Sequence, residues 1–137
     1  MSNDAGYSGR PLAAKLGLMP GMALVVCGDP VDYQRVITPA PDGLAYAAQV
    51  TKATDLVHVF STERATLASV LTHARGVIRP DAVIWVSWPK KASRVATDIT
   101  EDVIREICLP MGLVDVKVCA VDEVWSGLKL VIRRALR

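Results

Sequence analysis

Residues 82–102 read AVIWVSWPKKASRVATDITED, and this stretch decides the fold. Ala82 to Trp88 is an apolar run, interrupted only by Ser87, that stops at Pro89. A run this short that is apolar on both faces suits a central strand of a parallel sheet, where helices cover both sides. Lys90 and Lys91 follow at once, then a small polar loop, and Asp98-Ile99-Thr100-Glu101 reads as a helix start. Open α/β sheets bind ligands beyond the carboxyl ends of their strands, and helix N-termini there offer N–H donors to anions. The loop is therefore a candidate anion site made of Lys90, Lys91, Ser93, Thr97, Asp98 and Thr100. Asp98 and Thr100 read first as helix caps, although a cap can line a site as well.

Outward from this stretch the chain alternates strands and helices. Arg10 to Gly17 reads as a short helix with proline in its first turn and glycine at its end. Met22 to Cys27 is the first strand, closed by Gly28-Asp29-Pro30. Asp32 to Ile37 is a short helix, and Leu44 to Val50 leans toward strand. Asp55 to Phe60 is a strand by length and β-branching. Ser61 or Thr62 caps a helix running to about Ile78, with Leu67, Val70, Leu71, Ala74, Val77 and Ile78 on one face. A helix from Thr100 to about Met111 ends at Pro110 and Gly112. Val114 to Val121 and Gly127 to Arg133 both alternate. The first places Val114, Val116, Val118 and Ala120 on one face, and the second groups Leu128, Leu130 and Ile132. The link between them is too short for a crossover, so they form an antiparallel hairpin. The expected fold is a small Rossmann-like α/β domain over residues 9–137, three-layered, with a mostly parallel central sheet and a C-terminal antiparallel hairpin; residues 1–8 read as a mobile N-terminus. The strands at 22–27, 55–60 and 82–88 should be adjacent and parallel, with the hairpin at one side.

Composition narrows the function classes. The 137 residues carry 16 basic and 14 acidic side chains, net +2, a balance that argues against a nucleic-acid binder on bulk charge. Cys27, Cys108 and Cys119 form no C-x-x-C pair and sit in apolar contexts, as buried free thiols of a cytoplasmic protein do. No apolar run approaches the ~20 residues of a membrane span. His58, between Val57 and Val59, reads as a satisfied core residue, and His73 falls on the polar face of its helix. Neither has a partner at ligand spacing, so no metal site is expected. No G-x-S-x-G, H-E-x-x-H or Walker A motif appears. Two further candidates for ligand contact remain. Asp29, ending the first strand, is placed to take a ribose hydroxyl or an amine, or to start a turn before Pro30. Trp125, at the hairpin tip beside Asp122 and Glu123, can stack a base, dock a partner or fold back over the sheet end.

Two resemblances bear on this reading. Ala13 to Gly28, AAKLGLMPGMALVVCG, resembles the opening of class I S-adenosylmethionine-dependent methyltransferases, in which a helix, an "LGL-PG" turn and a first strand lead into a glycine-rich loop. The helix, RPD turn and apolar strand of Ala68 to Val86 and the closing hairpin resemble later parts of that fold. The chain departs from the pattern after the first strand, where Gly28 stands alone in Gly28-Asp29-Pro30-Val31-Asp32. Glycines there let the backbone approach the cofactor, and Pro30 also lacks an N–H donor. That departure predicts no measurable S-adenosylmethionine binding at about 100 μM. Four further segments, YSGRPLAAKLG from Tyr7, WPKKAS from Trp88, ATDITED from Ala96 and KVCAVDEVWSGL from Lys117, are similar to the signatures of a small bacterial family of uncharacterised function. Arg10 stands where that family more often has threonine.

With no recognisable acid–base pair, the sequence leans away from an enzyme. It points first to a non-catalytic binding or regulatory domain for a small anionic ligand or protein partner, with no cofactor named. The alternatives are a degenerate or minimal S-adenosylmethionine-dependent methyltransferase-like enzyme, and a nucleic-acid-associated regulator using Lys90, Lys91, Arg94 and the arginine-rich tail.

Overall fold

A computed structural model describes residues 10–28 and 32–137. The expected mobile stretch 1–8 and the candidate Asp29 lie outside the described residues. Six strands form one sheet in the order β2-β1-β3-β4-β6-β5. They are β1 (Ala23–Cys27), β2 (Ala45–Tyr46), β3 (Leu56–Phe60), β4 (Val83–Pro89), β5 (Leu113–Ala120) and β6 (Trp125–Ile132). The helices are α1 (Leu12–Leu16), α2 (Tyr33–Val36), α3 (Arg64–Val77) and α4 (Glu101–Cys108).

The first four strands are parallel, and the hairpin β5–β6 joins β4 antiparallel through β6. This is the expected arrangement: β1, β3 and β4 are adjacent, and β4 is central. Its two faces feed two cores. Ile84, Val86 and Trp88 pack with α3 and α4 through Leu67, Leu71, Ile104 and Ile107. Trp85 points the other way, among Leu12, Leu16 and Leu24, and its indole N–H donates to the Leu16 carbonyl at 3.0 Å. Leu128, Leu130 and Ile132 share the first core, as their alternation requires.

Three sequence readings are corrected. Strand β5 does not keep one apolar face. A bulge between Asp115 and Lys117 shifts the register, so Leu113 enters one core and Cys119 the other. Val116 and Val118 are left 54% and 51% exposed on this edge. A bulge adds an unpaired residue and so reverses the alternation, which strict period-2 reading cannot foresee. The expected strand at 44–50 shrinks to Ala45–Tyr46, both exposed at the opposite edge. Finally, neither Ser61 nor Thr62 caps α3. Glu63 occupies the cap position and its side chain makes no cap bond. Instead Asp98, from the loop before α4, accepts the Arg64 N–H at 2.6 Å.

Electrostatic ties hold the amino ends of the strands. Asp55 accepts the Ala23 N–H at 2.7 Å and pairs with Arg79. The backbone N–H first, then Arg79, hold its carboxyl below the usual range. Arg105 gathers Asp115, Glu101 and Asp102 at the α4–β5 side. Among the described residues no helix is long and apolar enough to cross a membrane. Cys27, Cys108 and Cys119 are free thiols, the last two buried.

Candidate functional site

Strand order locates a site. From β1 the chain steps to β2 on one side, then returns to β3 and β4 on the other. The sheet therefore reverses direction between β1 and β3, the place where open α/β sheets bind ligands outside their carboxyl ends. A cleft of about 260 Å³ lies there, lined by Gly28, Phe60, Ser61, Thr62, Glu63, Thr66 and Trp125.

Gly28 ends β1 with φ +67°. A Cβ at this position would collide with the Phe60 carbonyl oxygen. The ends of the two parallel strands approach so closely that only glycine fits. Phe60 stacks on His58 with centroids 4.5 Å apart and planes 11° from parallel, and meets Trp125 edge-on at 5.4 Å. Trp125 is only 8% exposed. It has folded back over the sheet end, held by Asp122, whose carboxylate accepts the N–H groups of Val124 and Trp125, each at 2.8 Å. On the α3 side, Ser61 Oγ accepts the Glu63 N–H at 3.2 Å and donates to the Glu63 carbonyl at 3.0 Å. Thr66 Oγ1 donates to the Glu63 carboxylate at 3.2 Å. The cleft thus combines two aromatic surfaces, hydroxyl groups and one carboxylate. Among the described residues no cation lines it.

Behind the aromatic wall runs a buried polar string. Tyr33 Oη and His58 Nδ1 lie 2.7 Å apart, as do His58 Nε2 and Ser87 Oγ. All three residues are buried, and no buried side-chain polar atom lacks a partner among the described residues. Desolvation pushes the His58 pKa down to about 3, so the ring is neutral at ordinary pH. His58 is the satisfied core histidine its flanking valines implied, and it ties α2 to β3 and β4.

The candidate loop lies beside this cleft and divides into two parts. Lys90, Lys91 and Ser93 belong to a 3-10 turn over Lys91–Ser93. The Lys90 N–H donates to the Val124 carbonyl at 2.8 Å. Ser93 Oγ donates to the Lys90 carbonyl at 2.7 Å and accepts the Val95 N–H at 3.3 Å. Thr97 and Asp98 are fastened to the cleft wall. Thr97 Oγ1 donates to the Thr62 carbonyl at 2.6 Å, and Asp98 takes the Arg64 N–H. Thr100 is the cap of α4, accepting the Val103 N–H at 3.2 Å. Asp98 therefore caps a different helix from the one it precedes. Replacing Asp98 by alanine should cost about 1 kcal/mol, the usual loss for a removed cap. A urea melt would check it, and an unchanged midpoint would show the bond to be idle.

Among the described residues, Trp125 is the one sequence candidate that lines the cleft. The reading missed Phe60, Ser61, Thr62, Glu63 and Thr66. Their signal was topological: had the reversal between the first and third strands been used, the loop after Phe60 would have been the place to look.

No protein-family model matches the chain, and no curated protein matches its sequence. Solved structures do match. The magnesium protoporphyrin IX methyltransferase of Synechocystis with bound SAM aligns with a TM-score of 0.58 at 14% identity, over 88% of this chain and 76% of that one. A SAM-dependent methyltransferase from Aquifex aeolicus gives 0.57 at 13% identity, over 88% and 87%. The Bacillus subtilis m1A22 tRNA methyltransferase gives 0.54 at 9% identity, over 89% and 65%. The fold is a small Rossmann-like fold of the methyltransferase type. At these identities the likeness concerns the fold alone, and it agrees with the resemblance carried by Ala13 to Gly28.

Proposed function

We propose that this chain is a minimal S-adenosylmethionine-binding domain of the methyltransferase type, and that the cleft between β1 and β3 takes the nucleoside part of the cofactor. The observation that carries the reading is the composition of that cleft: aromatic faces, hydroxyls and a carboxylate at the switch point of a methyltransferase-type sheet. The residues present fit the group. Phe60 and Trp125 offer apolar surface to a base. The Glu63 carboxylate and the Ser61 and Thr62 hydroxyls are acceptors for ribose hydroxyls. A cleft that holds a carboxylate and, among the described residues, no cation also suits a ligand that carries positive charge at its sulfonium. Gly28 keeps the ends of β1 and β3 in close approach beside the cleft. When bound, the cofactor supplies an electrophilic methyl group; the chain's own residues bind and orient it. At about 260 Å³ the cleft is slightly below the ~300–1,000 Å³ usual for small-molecule sites, so part of the ligand stays at the open mouth.

Calorimetric titration with S-adenosylmethionine and S-adenosylhomocysteine tests this. One-to-one binding at about 100 μM or tighter is expected, with Glu63→Gln weakening it. No saturable heat up to about 1 mM would return the chain to the non-catalytic reading.

A further inference from the structure

We infer that Lys90, Lys91 and Arg94 form a phosphate-holding rim beside the cleft, and that the acceptor substrate of this domain is a small phosphorylated molecule. The inference rests on the cofactor reading of the cleft. Three cations fall within five residues. None makes an ion pair or a side-chain hydrogen bond among the described residues. Four other arginines are committed: Arg64 to Glu106, Arg79 to Asp55 and Asp81, Arg105 to three carboxylates, and Arg75 to the Met111 carbonyl. Leaving three neighbouring cations unneutralised costs mutual repulsion, which an anion removes.

The rim is also built. Ser93 Oγ closes the turn onto the Lys90 carbonyl, and the Lys90 N–H is fastened to the hairpin. Arg94 adopts φ +62°, the one left-handed non-glycine among the described residues. This conformation costs roughly 1–2 kcal/mol for a residue with a Cβ. A turn that only needed to reverse direction would be less strained with glycine there. The rim is close to the cleft: Pro89 is the strand partner of Trp125, and Lys90 is the next residue.

The surroundings favour a small ligand over a nucleic-acid strand. Exposed carboxylates stand on the neighbouring segments, at Glu63, Asp98 and Glu123. The other basic cluster, Arg133, Arg134 and Arg137, follows Ile132 at the amino end of β4, because β6 runs antiparallel. The length of β4 separates the two clusters by about 20 Å at ~3.3 Å per residue, and the lysines between them, Lys117 and Lys129, form a single cross-strand pair of the hairpin. A phosphate monoester, dianionic above its second pKa of about 6, matches three cations at one point.

The test is an NMR titration of the full chain with inorganic pyrophosphate, and separately with a single-stranded oligonucleotide, at pH 7.5. Pyrophosphate should shift the amides of Lys90 to Val95 saturably below about 1 mM. The variant carrying Lys90→Ala, Lys91→Ala and Arg94→Gly keeps the turn, since glycine accepts φ +62°. It should lose at least about tenfold in pyrophosphate affinity while its S-adenosylhomocysteine binding stays at the wild-type value. Absence of shifts, or full pyrophosphate binding by the variant, overturns the rim. Oligonucleotide binding that tightens with strand length overturns the small-molecule assignment in favour of nucleic acid. Pyrophosphate binding without any S-adenosylhomocysteine binding overturns the acceptor role, because the failure then lies in the cleft and not in the rim.

Discussion

Gly28→Ala is expected to cost about 2–5 kcal/mol of folding stability and to abolish ligand binding in the cleft. Two effects combine. A side chain at φ +67° carries a left-handed penalty of roughly 1–2 kcal/mol. The new Cβ must also displace the Phe60 carbonyl, a backbone group of a strand that cannot swing aside, and overpacking of this kind costs about 1–3 kcal/mol. Gly17 provides the control. It has φ +81° and nothing within 4 Å of its Cβ position, so Gly17→Ala should show the dihedral cost alone. Equal losses in urea melts of the two variants would mean that β1 and β3 do not approach as described.

Stability should fall by about 2 kcal/mol between pH 7.5 and pH 5 through His58 alone. Folding pushes its pKa to about 3, whereas an unfolded histidine titrates near 6.5. Between those values the unfolded chain binds a proton that the folded chain refuses. The contribution is complete above pH 6.5 and declines by about 1.4 kcal/mol per unit as pH falls below it, levelling near pH 3. Asp55, whose pKa is lowered in the fold, acts in a separate window: its contribution is present above about pH 4 and is lost in more acid solution. His58→Gln can still bond Tyr33 and Ser87 and does not titrate. Its stability should stay nearly flat from pH 7.5 to 5. A wild-type curve as flat as the variant's would show that the ring is not desolvated.

The sheet was legible because its signals are local. Ala82–Trp88 is apolar on both faces and cannot lie at an edge, and the link after Ala120 is too short for anything but a hairpin. The cleft was not legible for the opposite reason. Its walls, Gly28 and Phe60, are far apart in sequence and become neighbours only through strand order. The lysine loop drew attention because charge after a buried strand is visible in one line of text. The hydroxyls and the carboxylate that line the cleft look like any loop. Asp98 shows the same limit: its position before a helix made it a cap for that helix, whereas tertiary structure gives its carboxylate to α3. The bulge in β5 escaped because one unpaired residue leaves no trace in composition.

The shortness of β2 has a consequence for how binding would make itself felt. Only Ala23 and Leu24 of β1 have a partner on that side, while Leu24 to Cys27 pair with β3. The carboxyl half of β1, which leads to Gly28, is thus held by a ladder on one flank alone. Segments held in this way open at a lower free energy than the rest of the molecule. The amides of Val25 to Gly28 should exchange with solvent sooner than those of β4, and a ligand clasped by Gly28 would slow them. The cleft thus carries its own reporter of occupancy, readable by deuterium uptake without label or dye.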